Sequence, residues 1–216
     1  EPGTPTWLKP ANPQWPDNYT VEYWNRDWQR ILRSYVDRIL QVGFDGLYLD
    51  IVDGYERFPR RPTPAQEMRS LVLRLAAYCR NKAGADFGIF AQNAVDLLED
   101  HEYRNALTGL GKEETYYFPG NEANPTEDRD WEEEQLDRLV AEGKLVLTVD
   151  YPSREELRSW VARRARERGY VPYLAEVELD RLYPQPGAPV PEPLQEPEPV
   201  RTLPELPPLR STAGGH

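Results

Sequence analysis

Apolar positions along this chain alternate between two rhythms. Trp28, Ile31, Leu32, Tyr35, Val36, Ile39 and Leu40 fall at the three-and-four spacing of an amphipathic helix, and Gly43 supplies its stop. Leu47, Tyr48, Leu49, Ile51 and Val52 then make a strand-forming run bounded by Gly46 and Gly54, with Asp50 and Asp53 at its exit. The alternation repeats. After a basic, proline-broken loop (Arg57, Arg60, Arg61), Thr63 is placed to cap a helix whose Met68, Leu71, Val72, Leu75, Ala76 and Cys79 share one stripe. Residues 87–91 (FGIFA) read as a strand ending in Gln92 and Asn93. A short helical stretch around Val95 to Leu98 leads to a strand over 107–111, followed by Lys112, Glu113 and Glu114. A helix through Trp131, Leu136, Leu139 and Val140 precedes KLVLTV (144–149), which ends in Asp150 and Tyr151; a helix with Leu157, Trp160, Val161 and Ala165 precedes a last strand over 170–174. Upstream, YTVEYW (19–24) alternates as a short strand ending in Tyr23 and Trp24, behind a proline-rich irregular segment that carries Trp7 and Trp15.

Strands that alternate with helices, in apolar runs too continuous for a half-exposed antiparallel sheet, predict an α/β fold with a helix-covered parallel sheet. A doubly wound sheet would announce itself with a glycine-rich phosphate turn, which is absent, so a (β/α)8 TIM-type barrel is expected. About six strand-like runs stand where the barrel has eight, which predicts that about two βα units on the amino-terminal side are missing or unrecognised. From Tyr183 onward prolines recur every few positions, incompatible with helix or ladder. The expected organisation is a partial barrel domain over 1–182 and an extended tail or linker over 183–216. The start at Glu1, without Met or a leader-like segment, reads as a processed or partial chain.

Charge narrows the partners. The 216 residues carry a formal net charge of -11, which argues against a general nucleic-acid binder, since phosphate neutralisation needs basic clusters. An acidic surface attracts cationic ligands, although acidity also serves solubility alone. No apolar run of about 18 residues is present to span a membrane. The one cysteine, Cys79, sits on a helix stripe as a small buried hydrophobe.

An acid inside a run as apolar as 47–52 is costly unless used: Asp50 either serves chemistry, caps the next element, or pairs with a buried arginine. If the strand exits share one rim, Asp50, Asp53, Gln92, Asn93, Glu113, Glu114, Asp150, Tyr23, Tyr55, Tyr116, Tyr117 and Tyr151 face a common cleft. That inventory lacks the histidine, thiol and GxSxG turn of nucleophilic hydrolases. Two carboxylates with aromatic platforms suit glycosidic cleavage, whereas Asp50, Asp53 and Asp150 would serve as oxygen ligands for Mg2+ or Ca2+ in a metal-dependent hydrolase. The aromatics have an alternative role in closing the barrel core.

GFDGLYLDIVDGY (43–55), IFAQN (89–93), GLGKEETYY (109–117) and LTVDYP (147–152), in this order, resemble glycoside hydrolase family 114, the endo-α-1,4-polygalactosaminidases and their uncharacterised relatives. The resemblance spans about residues 19–182. It implies a (β/α)8 barrel that hydrolyses a cationic, partly deacetylated amino-sugar polymer, without a cofactor, outside the cell or at its surface. The matching positions make Asp50 and Glu113 the catalytic pair, with Asp50 the nucleophile, held rigidly in its strand, and Glu113 the acid/base beside the like charge of Glu114. Asp53, Gln92, Asn93, Tyr117, Asp150 and Tyr151 match substrate-positioning residues, and Tyr23, Trp24, Tyr55 and Glu114 complete the expected substrate-binding set. A barrel retained as a catalytically silent carbohydrate-binding or surface protein is the alternative from another class. The family's amino-terminal strands, expected before Tyr19, are absent from this sequence, and the proline-rich tail lies outside the pattern.

Overall fold

The structure, a computed structural model, describes residues 4–13 and 17–187. Trp15 and most of the proline-rich tail therefore lie outside the described residues. The chain divides into two compact units, one ending at Gly43 and the other running from Phe44 to Val190.

In the first unit, β1 (Leu8–Ala11) and β2 (Tyr19–Val21) pair antiparallel, with Leu8 opposite Val21 and Ala11 opposite Tyr19. The segment containing β1 was expected to be irregular. Its Pro10 lacks a donor, which a two-stranded ribbon tolerates because an edge strand leaves one set of N–H groups outside the ladder. Helix α1 (Arg26–Val42) begins where the Asn25 side chain accepts the N–H groups of Asp27 and Trp28, and ends where Gly43 adopts φ 92°. That left-handed conformation is the one glycine tolerates at a helix stop. Trp7 and Trp28 pack with ring centroids 5.3 Å apart. Tyr35, expected on the apolar stripe, is exposed.

The second unit holds five parallel strands: β3 (Gly46–Leu49), β4 (Gly88–Gln92), β5 (Gly109–Glu113), β6 (Leu145–Asp150) and β7 (Val171–Leu174). They lie side by side in sequence order, β3-β4-β5-β6-β7. An order without reversal is that of a barrel wall, since a doubly wound sheet reverses at its switch point. Five strands, not six, form this wall, because the 19–24 run pairs with β1 instead. The connections carry α2 (Pro64–Ala83), α3 (His101–Ala106), α4 (Thr126–Ala141) and α5 (Glu155–Glu167).

Burial alternates along the strands and assigns their two faces. Leu47, Ile89, Ala91, Leu110, Val146, Thr148, Asp150 and Leu174 are buried, while Tyr48, Leu145 and Val171, of the opposite parity, are exposed. Met68, Leu71, Val72, Leu75, Ala76 and Cys79 of α2 are all buried, as their spacing predicts. Each such large apolar side chain contributes roughly 1.5–3 kcal/mol on burial. Thr63 occupies the cap position of α2 but makes no side-chain capping bond; Pro64 at the first helical position needs no donor partner. Trp131, expected on the α4 stripe, is exposed. Glu133 of α4 is buried and accepts from Arg164 at 2.9 and 2.7 Å, with Arg168 at 2.7 Å, so its charge is fully paired.

The start of the expected tail is tied to the sheet edge. Gln185 Oε1 accepts from Leu174 N at 2.7 Å while Gln185 Nε2 donates to Leu174 O at 3.0 Å, so one side chain satisfies both backbone groups of a β7 residue.

Candidate active site at the strand exits

Asp50 follows directly on β3 and is exposed, and its Oδ1 accepts the N–H of Ile51 at 2.8 Å. Tyr48, two residues earlier, shares its parity. On β5 the same parity runs through Gly109, Gly111 and Glu113. The register aligns Gln92 with Gly111, so the Asp50 and Glu113 backbones are separated by β4, two strand spacings or roughly 10 Å across the sheet. Glu113 stands two residues beyond Gly111 on the same sheet face, and its carboxylate meets the Tyr151 hydroxyl at the exit of β6.

Glu113 is held at three points. Its Oε1 accepts the Tyr151 hydroxyl at 2.8 Å, its N–H donates to Asn93 Oδ1 at 3.0 Å, and its carbonyl accepts Lys112 Nζ at 2.5 Å. Asn93 also donates from Nδ2 to Asp53 Oδ2 at 3.2 Å, so a single amide ties the loop after β3 to the end of β5. Tyr55 donates its hydroxyl to Asp96 and is itself buried. Tyr117 stands edge-on to Trp160, with centroids 6.1 Å apart.

Three strand exits turn through left-handed, non-glycine residues: Ile51 (φ 56°), Asn93 (φ 56°) with Ala94 (φ 51°), and Glu114 (φ 58°). Asn accepts this conformation, but a β-branched residue there is strained by about 1–2 kcal/mol. Ile51→Asn is therefore expected to raise the urea midpoint by an amount worth about 1 kcal/mol. A lower midpoint would show that contacts of the Ile51 side chain outweigh the strain.

Electrostatics mark the same rim. Burial, then the charges of Glu113 and Asp50, pushes the Tyr48 phenol up to about 12, so both carboxylates act on this hydroxyl. Burial raises Asp53, with Asp50 adding and the Asn93 hydrogen bond opposing. Glu114 is raised by burial first, opposed by Lys112 and reinforced by Glu113. Tyr151 is raised by burial and by its bond to Glu113.

Asp50, Asp53, Gln92, Asn93, Glu113, Glu114 and Tyr151 accordingly gather at adjoining strand ends. Asp150 does not join them in the cleft. It shares the parity of Val146 and Thr148, is fully buried (0 % exposed), and its Oδ1 accepts the N–H groups of Tyr116 at 2.6 Å and Tyr117 at 2.9 Å. Its place is under the loop after β5, as a support for that loop and not as a sugar contact. The trio Asp50, Asp53 and Asp150 likewise does not converge: among the described residues no three His, Cys, Asp or Glu side chains are grouped to hold a metal ion. Tyr23 and Trp24 belong to the first unit, where Tyr23 is buried and the two rings meet edge-on at 4.9 Å. Two features escaped the sequence reading. One is Tyr48, whose period-two relation to Asp50 was the available signal. The other is the ion pair behind Glu113, Lys112 with Glu132 at 3.1 Å, in which Asn124 Nδ2 also reaches Glu132 at 3.1 Å; no local pattern links those positions.

A parallel sheet in unreversed order, with acids and amides at its carboxyl exits, defines a domain of the (β/α)8-barrel class. The chain belongs to glycoside-hydrolase family GH114, whose profile matches residues 3–189. It is 39 % identical over 182 residues to an uncharacterised protein of Deinococcus radiodurans, covering 83 % of this chain and 58 % of that protein. It is 34 % identical over 211 residues to one of Thermotoga maritima, covering 89 % and 64 % respectively. The chain thus spans less than two thirds of the length of these relatives. Among solved structures, the glycoside hydrolase domain of PelA from Pseudomonas aeruginosa superposes with a TM-score of 0.62 at 22 % identity, over 83 % of this chain and 70 % of that one. Ega3 of Aspergillus fumigatus, in complex with galactosamine, superposes with a TM-score of 0.64 at 15 % identity, over 83 % and 68 %. Both likenesses establish the fold. No helix among the described residues is long and apolar enough to cross a membrane.

Proposed function

We propose that this chain carries the catalytic carboxylates of a glycoside hydrolase that cleaves an amino-sugar polysaccharide of the α-1,4-linked galactosamine type. The observation that carries this reading is Glu113 fixed by Tyr151 and Asn93 on the same sheet face as Asp50. With Oε1 engaged by Tyr151, Oε2 is left to face the substrate. Glu113 protonates the oxygen of the departing sugar as the glycosidic bond breaks, and Asp50 attacks the anomeric carbon; water activated by Glu113 then releases the product from Asp50. The family relationship supports the reaction class, and the galactosamine bound to Ega3 supports the sugar. A net charge of -11 favours a polymer whose free amines are protonated. Such a polymer is met outside the cell or at its surface, and the reading places the protein there.

The test is incubation with partly deacetylated and fully N-acetylated galactosamine polymers, followed by sizing of the products. Shorter oligosaccharides from the cationic polymer are the expected result. Binding without a change in chain length would instead support the catalytically silent carbohydrate-binding protein.

A further inference from the structure

Tyr48 is unlike an ordinary strand tyrosine. Its ring lies nearly parallel to that of Phe90 (11°, centroids 6.4 Å apart), its hydroxyl donates to Gln92 Oε1, and the residue remains about half exposed at 49 %. The hydroxyl lies over Gly111, where a Cβ would overlap Tyr48 Oη and approach Gln92 Oε1 to 2.9 Å. Gly111 has no left-handed backbone angle to explain a glycine, so what it contributes is space for this hydroxyl. Glycine at 111 and an amide at 92 together hold one oxygen on the cleft floor, in the field of both Asp50 and Glu113.

We infer that Tyr48 is a substrate-positioning residue: its oxygen, fixed over Gly111 by Gln92, hydrogen-bonds the sugar held between Asp50 and Glu113. The inference rests on the glycoside-hydrolase reading above. The chemistry is that of an acceptor. Having given its proton to Gln92, the oxygen presents lone pairs to an ammonium or hydroxyl of the sugar. Burial first, and then the neighbouring carboxylates, keep the phenol protonated across the physiological range, so it adds no third negative charge to the cleft. A bland role, packing on Phe90 alone, requires only the ring.

Tyr48→Phe separates the two roles because it removes the oxygen and keeps the ring. With an α-1,4-galactosamine oligosaccharide, kcat/KM is expected to fall roughly 10- to 100-fold, the loss of a hydrogen bond to a charged or reacting group. Galactosamine binding followed by NMR should weaken while the thermal midpoint stays put. Gly111→Ala, whose Cβ would overlap the Tyr48 hydroxyl, should likewise lower kcat/KM in the wild-type background. Wild-type kcat/KM and galactosamine affinity in Tyr48→Phe would overturn the inference and leave the glycosidase reading standing. A wild-type protein that neither cleaves the oligosaccharide nor binds galactosamine would overturn both.

Discussion

Glu113→Gln is expected to lower turnover of a galactosamine oligosaccharide by roughly 10²–10⁴-fold, the range for loss of a positioned general acid, with KM little changed. The amide keeps the shape and the bond from Tyr151, which lies 2.8 Å from Oε1, but has no proton to give a departing oxygen. Asp50→Asn is expected to lose at least as much, since the other carboxylate at the β3 exit, Asp53, is held by the Asn93 amide and raised by burial. The substrate separates the two roles. A galactosamine oligosaccharide carrying an aryl leaving group departs without protonation, so Glu113→Gln should recover much of the first step on it, while Asp50→Asn should recover nothing. Recovery by Asp50→Asn alone would exchange the roles. Undiminished activity in both variants would remove these carboxylates from the mechanism.

The parts of this arrangement that were legible in the sequence are those set by short-range pattern. Runs of strand formers ending in acids announced β3 and β6, and the α2 stripe from Met68 to Cys79 is buried as its spacing requires. Strand membership was less legible. Residues 19–24 alternate as well as any strand in the chain, yet which partner a strand finds is a long-range matter, and β2 finds β1. The face of each polar residue lay between these cases. Counting by twos from Val146 puts Asp150 on the buried side and Val149 on the other, whereas proximity to a strand end put Asp150 in the cleft. The same count forward from Tyr48 reaches Asp50, but an aromatic in an apolar run reads as core. What makes it otherwise is Gly111, 63 positions away in sequence and adjacent only once β3, β4 and β5 are aligned. Left-handed angles at Ile51 and Glu114 had no residue-level signal, since neither side chain favours them.

Asp150→Asn is expected to make the protein more stable than the wild type at pH 8 and less stable than it at pH 4, where the wild-type carboxyl is already neutral. Burial raises the Asp150 carboxyl from its ordinary 3.8 to about 7, against the lowering effect of the Tyr117 and Tyr116 N–H groups and of Lys112, with Glu132 adding to the rise. Its Oδ2 has no hydrogen-bond partner among the described residues. An acid raised by folding keeps its proton in the native state at pH values where the unfolded chain has released it. Its contribution is therefore fully present below about pH 4 and is lost as pH climbs through about 7, a swing of roughly 4 kcal/mol at three pH units. Asparagine retains an oxygen for the two N–H groups and never ionises, so it avoids that loss. Its own amide N–H groups take the unpartnered place of Oδ2 at a cost of about 1–3 kcal/mol, which leaves a gain of order 2 kcal/mol at pH 8. Urea denaturation of both proteins at pH 4 and pH 8 measures the difference. A variant less stable than wild type at pH 8 would show that Tyr116, Tyr117 and Lys112 hold Asp150 as an anion, and that the loop after β5 is fastened by charge. If the neutral side chain does suffice, Tyr151 should still meet Glu113 in the variant, and its pH-activity profile should then follow the acids of the cleft rather than the one beneath it.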